Sequence, residues 1–184
     1  MHNIRLVNIN ETFDLRHPEN KQCLDCSSSA LKVMTSFLDK EPLVISDATC
    51  IDNAQKLMMR EHVKLKIVTD QNKKMIGAVT LTDLIGEKSL VMTKENGGRN
   101  EVMVSDVMTP MNELKAIPIN EIQVSTVRDV VRVLKDSHIQ HIFIADPENE
   151  KVVGLISASD ITRKLSIPIK IDDGPTFHSI FKVL

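Results

Sequence analysis

The chain has 184 residues, 42% of them hydrophobic and 26% charged, with a formal net charge of -2. This composition is that of a soluble globular protein; without a lysine or arginine block it carries no nucleic-acid footprint, and no apolar run nears the roughly 20 residues of a membrane span. Three cysteines, an odd number, do not make a disulfide framework, so reduced thiols and a cytoplasmic location are expected.

Residues 1–30 read as an N-terminal extension. An apolar-alternating start at 4–9 predicts an edge strand, and its Arg5 and Asn8 break the continuous apolar core that a signal peptide requires. A polar stretch with Pro18 and three consecutive serines follows. Inside it, Cys23-Leu24-Asp25-Cys26 has the spacing of half a zinc site or of a redox pair. Zinc would have to recruit Cys50 or His17, and redox use would want the motif to open a helix after a strand. The bland alternative is two thiols in a leader.

Further on, 42–45 predicts a short strand and Thr49 a helix N-cap, with Asp52 three residues later and Ile51, Ala54, Leu57 and Met58 at helical spacing. Strands follow at 65–69 and 75–80 around a hairpin connection at 70–74, and Asp83 opens a closing helix. The polar stretch 94–101, with adjacent Gly97 and Gly98, predicts an exposed connection inside a linker at 87–103. The same order then returns. A strand at 116–119 precedes a helix capped by Ser125, whose apolar face is Val127, Val130, Val131 and Leu134; strands at 142–145 and 152–157 lead to a helix from Asp160. In the C-terminal extension, 166–184, Ile167, Ile169 and Ile171 alternate with other residues and Phe177, Ile180 and Phe181 follow a Gly-Pro break. That predicts an extra strand and a short helical end.

The repetition is explicit in the residues. Gly77-Ala78-Val79-Thr80-Leu81-Thr82-Asp83-Leu84 and Gly154-Leu155-Ile156-Ser157-Ala158-Ser159-Asp160-Ile161 share one order of residue classes, and Val33-Met34-Thr35 recurs as Val107-Met108-Thr109. The copies, 31–86 and 104–165, are of a size at which a lone core is marginal, so each is expected to need the other. The predicted fold is α/β (α+β), two pseudo-symmetric β-α-β-β-α repeats packed as one module between the two extensions.

This doubled, ordered set resembles paired CBS domains, the repeats named after cystathionine beta-synthase and together called a Bateman module; the chain is similar to stand-alone CBS domain proteins of bacterial or archaeal type. The resemblance rests on the Val-Met-Thr leaders, the element order and the two hydroxyl-and-aspartate motifs. It implies a regulatory, non-enzymatic module that binds AMP, ADP, ATP or S-adenosylmethionine in the cleft between the repeats and needs no other cofactor. It implies Asp83 and Asp160 on ribose hydroxyls, and Thr80, Thr82, Ser157 and Ser159 on phosphate or ribose. These roles make chemical sense, because a carboxylate accepts from two hydroxyls at once and serine or threonine donates to phosphate oxygens. A bare helix cap, with Thr82 and Ser159 as capping hydroxyls, is the structural alternative.

His141 and Arg163 add cations to the second copy, where the first has Leu65 and Gly86, so binding is expected to depend chiefly on Asp160. With no tryptophan or tyrosine, the base would lie against aliphatic walls such as Val44, Ile45, Ile117, Pro118 and Ile119. A homodimer is expected, with an unidentified effector protein and with neither nucleic acid nor membrane as partner. The competing expectation is a structural dimerisation module whose nucleotide sites are non-functional.

Overall fold

The computed structural model describes residues 24–165 together with Leu6. The expected C-terminal strand and helix, Cys23 and His17 lie outside the described residues, as does the strand expected at 4–9 apart from Leu6. Cys26 and Cys50 are free thiols.

Two four-stranded sheets carry the fold. The first has the order β2 (Val44–Ser46), β3 (Leu65–Thr69), β4 (Met75–Thr80), β5 (Thr109–Pro110); the second runs β1 (Thr35–Ser36), β8 (Lys151–Ser157), β7 (His141–Asp146), β6 (Ala116–Pro118). Each sheet joins its first two intra-repeat strands in parallel and closes with an antiparallel hairpin, β3·β4 or β7·β8. The hairpins turn by the same chemistry. Asp70 Oδ1 accepts from the amides of Asn72 and Lys74, both at 2.9 Å, and Asp146 Oδ1 accepts from Glu148 and Asn149 at 3.1 and 3.3 Å. A short carboxylate that closes the turn on its own backbone explains why these polar stretches break the apolar runs.

Helices cover the sheets: α1 (Ile51–Arg60) and α2 (Leu81–Ile85) on the first, α6 (Val127–Asp136) and α7 (Ala158–Lys164) on the second. The predicted stripes are the buried ones, with Ile51, Ala54 and Met58 on α1 and Val127, Val130, Val131 and Leu134 on α6 all nearly inaccessible. Both helices end in the same way, on a histidine with positive φ (His62 at 56°, His138 at 53°). The following amide then reaches back five residues, Val63 to Met58 O and Ile139 to Leu134 O.

The caps differ from expectation by one residue or more. Thr126, not Ser125, caps α6, its Oγ1 accepting from Asp129 N at 3.4 Å while Asp129 Oδ2 accepts from Thr126 N at 2.9 Å. Helix α1 is preceded by Cys50, not Thr49, and has no side-chain cap. Thr80 and Ser157 cap α2 and α7, so Thr82 and Ser159 already lie within helices. Three helices were not foreseen: α3 (Glu87–Glu95) in the connection, α4 (Val104–Val107) and α5 (Ile119–Val124). They are short or weakly patterned, and their burial depends on neighbours distant in sequence.

The larger departure is that the repeats exchange their leaders. Strand β1, which opens the first copy, pairs with β8 of the second; β5, which opens the second, pairs with β4 of the first. The cores follow. Ala30 and Val33 are buried among Val127, Val130, Ile156 and Ile161, whereas Val102, Val104 and Val107 are buried among Ile51, Val68, Val79 and Leu84. A third cluster of Ile67, Ala78 and Phe143, flanked by Leu65 and Leu155, joins the sheets face to face. Neither copy owns a complete core, which is the physical form of their mutual dependence.

The two motif glycines make the exchange possible. A Cβ on Gly77 would stand 2.5 Å from Thr109 O and 3.3 Å from Pro110 Cα; one on Gly154 would stand 2.8 Å from Thr35 O and would also overlap the Met34 side chain. The crossing strand lies where a side chain would be.

Candidate ligand-binding cleft

Between the sheets opens a cleft of about 630 Å³, within the usual range for small-molecule sites. The end of β4 and the start of α2 supply one wall through Thr80, Thr82 and Asp83. The starts of β3 and β7 supply Lys64, Leu65 and His141, the end of α6 leads to His138, and the exchanged leader brings Thr109, Glu113, Leu114 and Lys115. Ala78 and Phe143 complete the apolar lining.

Thr80 and Asp83 lock each other. Thr80 N and Oγ1 each donate to Asp83 Oδ2 at 2.7 Å, and Asp83 N donates to Thr80 Oγ1 at 3.2 Å. Among the described residues Asp83 Oδ1 makes no hydrogen bond, so one carboxylate oxygen is held rigidly while the other is available to a donor in the cleft. Across from it, loss of water around the His141 ring drives its pKa down to about 4; Asp160 and Asp83 pull it upward and Lys64 adds to the depression. At neutral pH His141 is therefore an uncharged imidazole, able to donate from one nitrogen and accept at the other.

Of the site residues expected from sequence, Thr80, Thr82, Asp83 and His141 meet in this cleft. Ser157, Ser159, Asp160, Arg163, Ile117 and Pro118 do not line it. Ser157 Oγ accepts from Asp160 N at 3.0 Å and lies 3.2 Å from Ser159 Oγ, while Asp160 Oδ1 is paired with the Arg163 guanidinium. Arg163, expected as a phosphate cation, thus spends its charge one turn away on its own helix. Ile117 and Ile119 pack on the second core, Ile45 is buried in the first, and Val44 is exposed at an edge. The residues missed, chiefly Glu113, Leu114 and Lys115, enter through the exchanged leader; no spacing in the sequence marks them.

A second, smaller cavity of about 380 Å³ adjoins the cleft through Asp83, Thr109 and Glu113 and adds Lys88 and Ser105. Among the described residues no group of three His, Cys, Asp or Glu is disposed to hold a metal ion, and no helix is long and apolar enough to cross a membrane.

Paired repeats with a polar-rimmed cleft between their sheets define a two-repeat module of internal pseudo-two-fold symmetry. The CBS-domain family model matches residues 32–89 and 104–167, and the chain belongs to that family. CBS pairs are generally regulatory modules.

Solved structures share the fold. A conserved protein from Pyrococcus horikoshii is 22% identical, with 80% of this chain and 98% of that chain covered and a TM-score of 0.59. CBSX2, a CBS-pair protein of Arabidopsis thaliana solved in complex with AMP, is 20% identical over 74% of this chain and 94% of its own, with a TM-score of 0.54. A CBS-domain protein from Agrobacterium tumefaciens is 18% identical over 72% and 93%, with a TM-score of 0.52.

Proposed function

We propose that this chain is a regulatory module that senses an adenosine-containing nucleotide, AMP, ADP, ATP or S-adenosylmethionine, in the cleft between its repeats. The observation that carries this is Asp83, held by Thr80 through one carboxylate oxygen and open at the other, facing a cleft that also holds Lys64, Lys115 and His141. A ribose hydroxyl donates to the open oxygen, Thr82 and the lysines take phosphate oxygens, and the base lies against Leu65, Leu114 and Phe143. The AMP complex of CBSX2 supports the ligand class. A ligand touching both sheets and the exchanged leader favours one mutual arrangement of the repeats, and this bias is what an effector protein would sense.

Calorimetry of the full chain against the four nucleotides tests the proposal. Micromolar or tighter binding by at least one is expected, with a matching rise in thermal midpoint. If none of the four binds or shifts the midpoint, the nucleotide reading is lost.

The competing reading, a dimerisation scaffold, draws on Met59, Ile85, Leu90 and Val91, apolar side chains of α1, α2 and α3 that are each about half exposed. We include a homodimer in the proposal, formed on this face. Sedimentation at micromolar concentration is expected to give a species near twice the chain mass, and a sole species at 20.6 kDa would remove the dimer.

A further inference from the structure

The two halves of the cleft should be equivalent by symmetry, and the side chains make them unequal. Ala78 and Leu155 each follow the motif glycine and occupy matching places: Ala78 pairs with Ile67 and Thr109, Leu155 with Phe143 and Thr35. Both belong to the cluster that joins the sheets. Where Ala78 leaves room, the cleft opens beside Asp83; at the matching place a leucine adds three carbons. Charge follows the same division. Lys115, whose carbonyl accepts from Phe143 N, lines the open cleft, and the residue at its place in the first repeat, whose carbonyl accepts from Ile67 N, is the uncharged Leu43. Each aspartate keeps one carboxylate oxygen without a hydrogen bond among the described residues, Asp83 held by Thr80 through the other and Asp160 paired through the other with Arg163.

Resting on the nucleotide reading above, we infer that each chain binds one nucleotide, not two, on the Asp83 side, with Ala78 and Lys115 deciding which half is used. A leucine at the mirror position crowds the space a purine needs, and Leu43 there offers phosphate no ammonium where Lys115 does. Both differences favour the same half. The inference opposes the expectation from sequence, which took His141 and Arg163 as extra cations for Asp160; His141 lines the open cleft and Arg163 is already paired.

AMP and ATP, titrated separately into the full chain by calorimetry, test this. The expected stoichiometry is one per chain. Ala78→Leu, which copies the mirror side chain, is expected to weaken binding at least about a hundredfold. If that variant melts early or fails to fold, a second pair decides. Asp83→Asn keeps an oxygen for Thr80 and turns the open one into a donor, and is expected to cost tenfold or more; Asp160→Asn is expected to change affinity less than about twofold. Two sites of similar affinity, or loss of binding in Asp160→Asn with retention in Asp83→Asn, would overturn the inference while leaving nucleotide sensing intact. Absence of any binding to the wild-type chain removes both.

Discussion

Replacing Gly77 by alanine tests the leader exchange directly, because the added methyl meets backbone. Its Cβ would stand 2.5 Å from Thr109 O, 3.0 Å from Met108 Sδ and 3.3 Å from Pro110 Cα. The sulfur can swing aside, but the carbonyl belongs to β5, and relief to an ordinary contact near 3.4 Å requires that strand to retreat by most of an ångström. The register pairs Gly77↔Pro110 and Ala78↔Thr109 then weaken, and Val107, buried in the first core just before them, is dragged with them. Overpacking of this kind costs about 1–3 kcal/mol, and alanine returns roughly 0.4–1 kcal/mol by restricting the unfolded chain. A weakened strand pairing adds to the cost, so the net loss is expected at about 2 kcal/mol, or roughly 4–8 °C in Tm for a chain of this size. Urea melts read by circular dichroism measure it. A Gly77→Ala chain within about 0.5 kcal/mol of wild type would mean that β5 does not cross onto β4, and the exchanged topology would fall with it.

Three further outcomes follow from the same packing. His141, with its folded pKa lowered to about 4, stays neutral where an unfolded histidine, at about 6.5, takes a proton. Stability is therefore fully retained above about pH 6.5 and lost as pH falls towards 4, by up to about 3 kcal/mol; His141→Gln is expected to flatten the slope in urea melts across that window, and an unchanged slope would contradict the burial of the ring. His62 holds φ at 56° where glycine is at ease, so His62→Gly is expected to leave stability unchanged or raise it by up to about 1 kcal/mol in the same melts, and a clear loss would refute the left-handed cap. Lys66 is buried against Glu61 at 2.6 Å, at the place that the second repeat gives to the core residue Ile142. Lys66→Ile should be neutral or stabilising by about 1 kcal/mol, whereas Glu61→Ala should cost about 2 kcal/mol or more by stranding the ammonium; the reverse order would show that the pair itself stabilises the fold.

Much of the architecture was legible because local chemistry repeats. β3 and β4 lie at the residues expected, since apolar and β-branched runs are bounded by turn-forming Asp70 and its neighbours, and the stripes on α1 and α6 face the cores as their spacing required. At α2, α6 and α7 the caps were hard to place because the helix start offers two hydroxyls in a row or at alternate positions, and only the backbone angle decides between Ser125 and Thr126 or between Thr80 and Thr82. Thr80, Asp83 and His141 were legible as site candidates because hydroxyl, carboxylate and imidazole at strand ends stand out. Lys115 and Ala78 were not, because their importance lies in what stands opposite them.

The sequence by itself determined that the chain is two copies of one β-α-β-β-α unit, which faces of their helices are apolar, and where hydroxyls and carboxylates gather at helix starts. These properties depend on residue type and on spacings of a few residues, which the chain carries in any context. The tertiary structure decided which sheet each leader joins, and thereby which lysine and which leucine border which aspartate. Val-Met-Thr has the same apolar and β-forming character whether it pairs with its own repeat or with the other. The choice is made by the close approach that Gly77 and Gly154 permit and by cores that each stay incomplete until Val33 and Val107 cross over, and such long-range complementarity has no local signature.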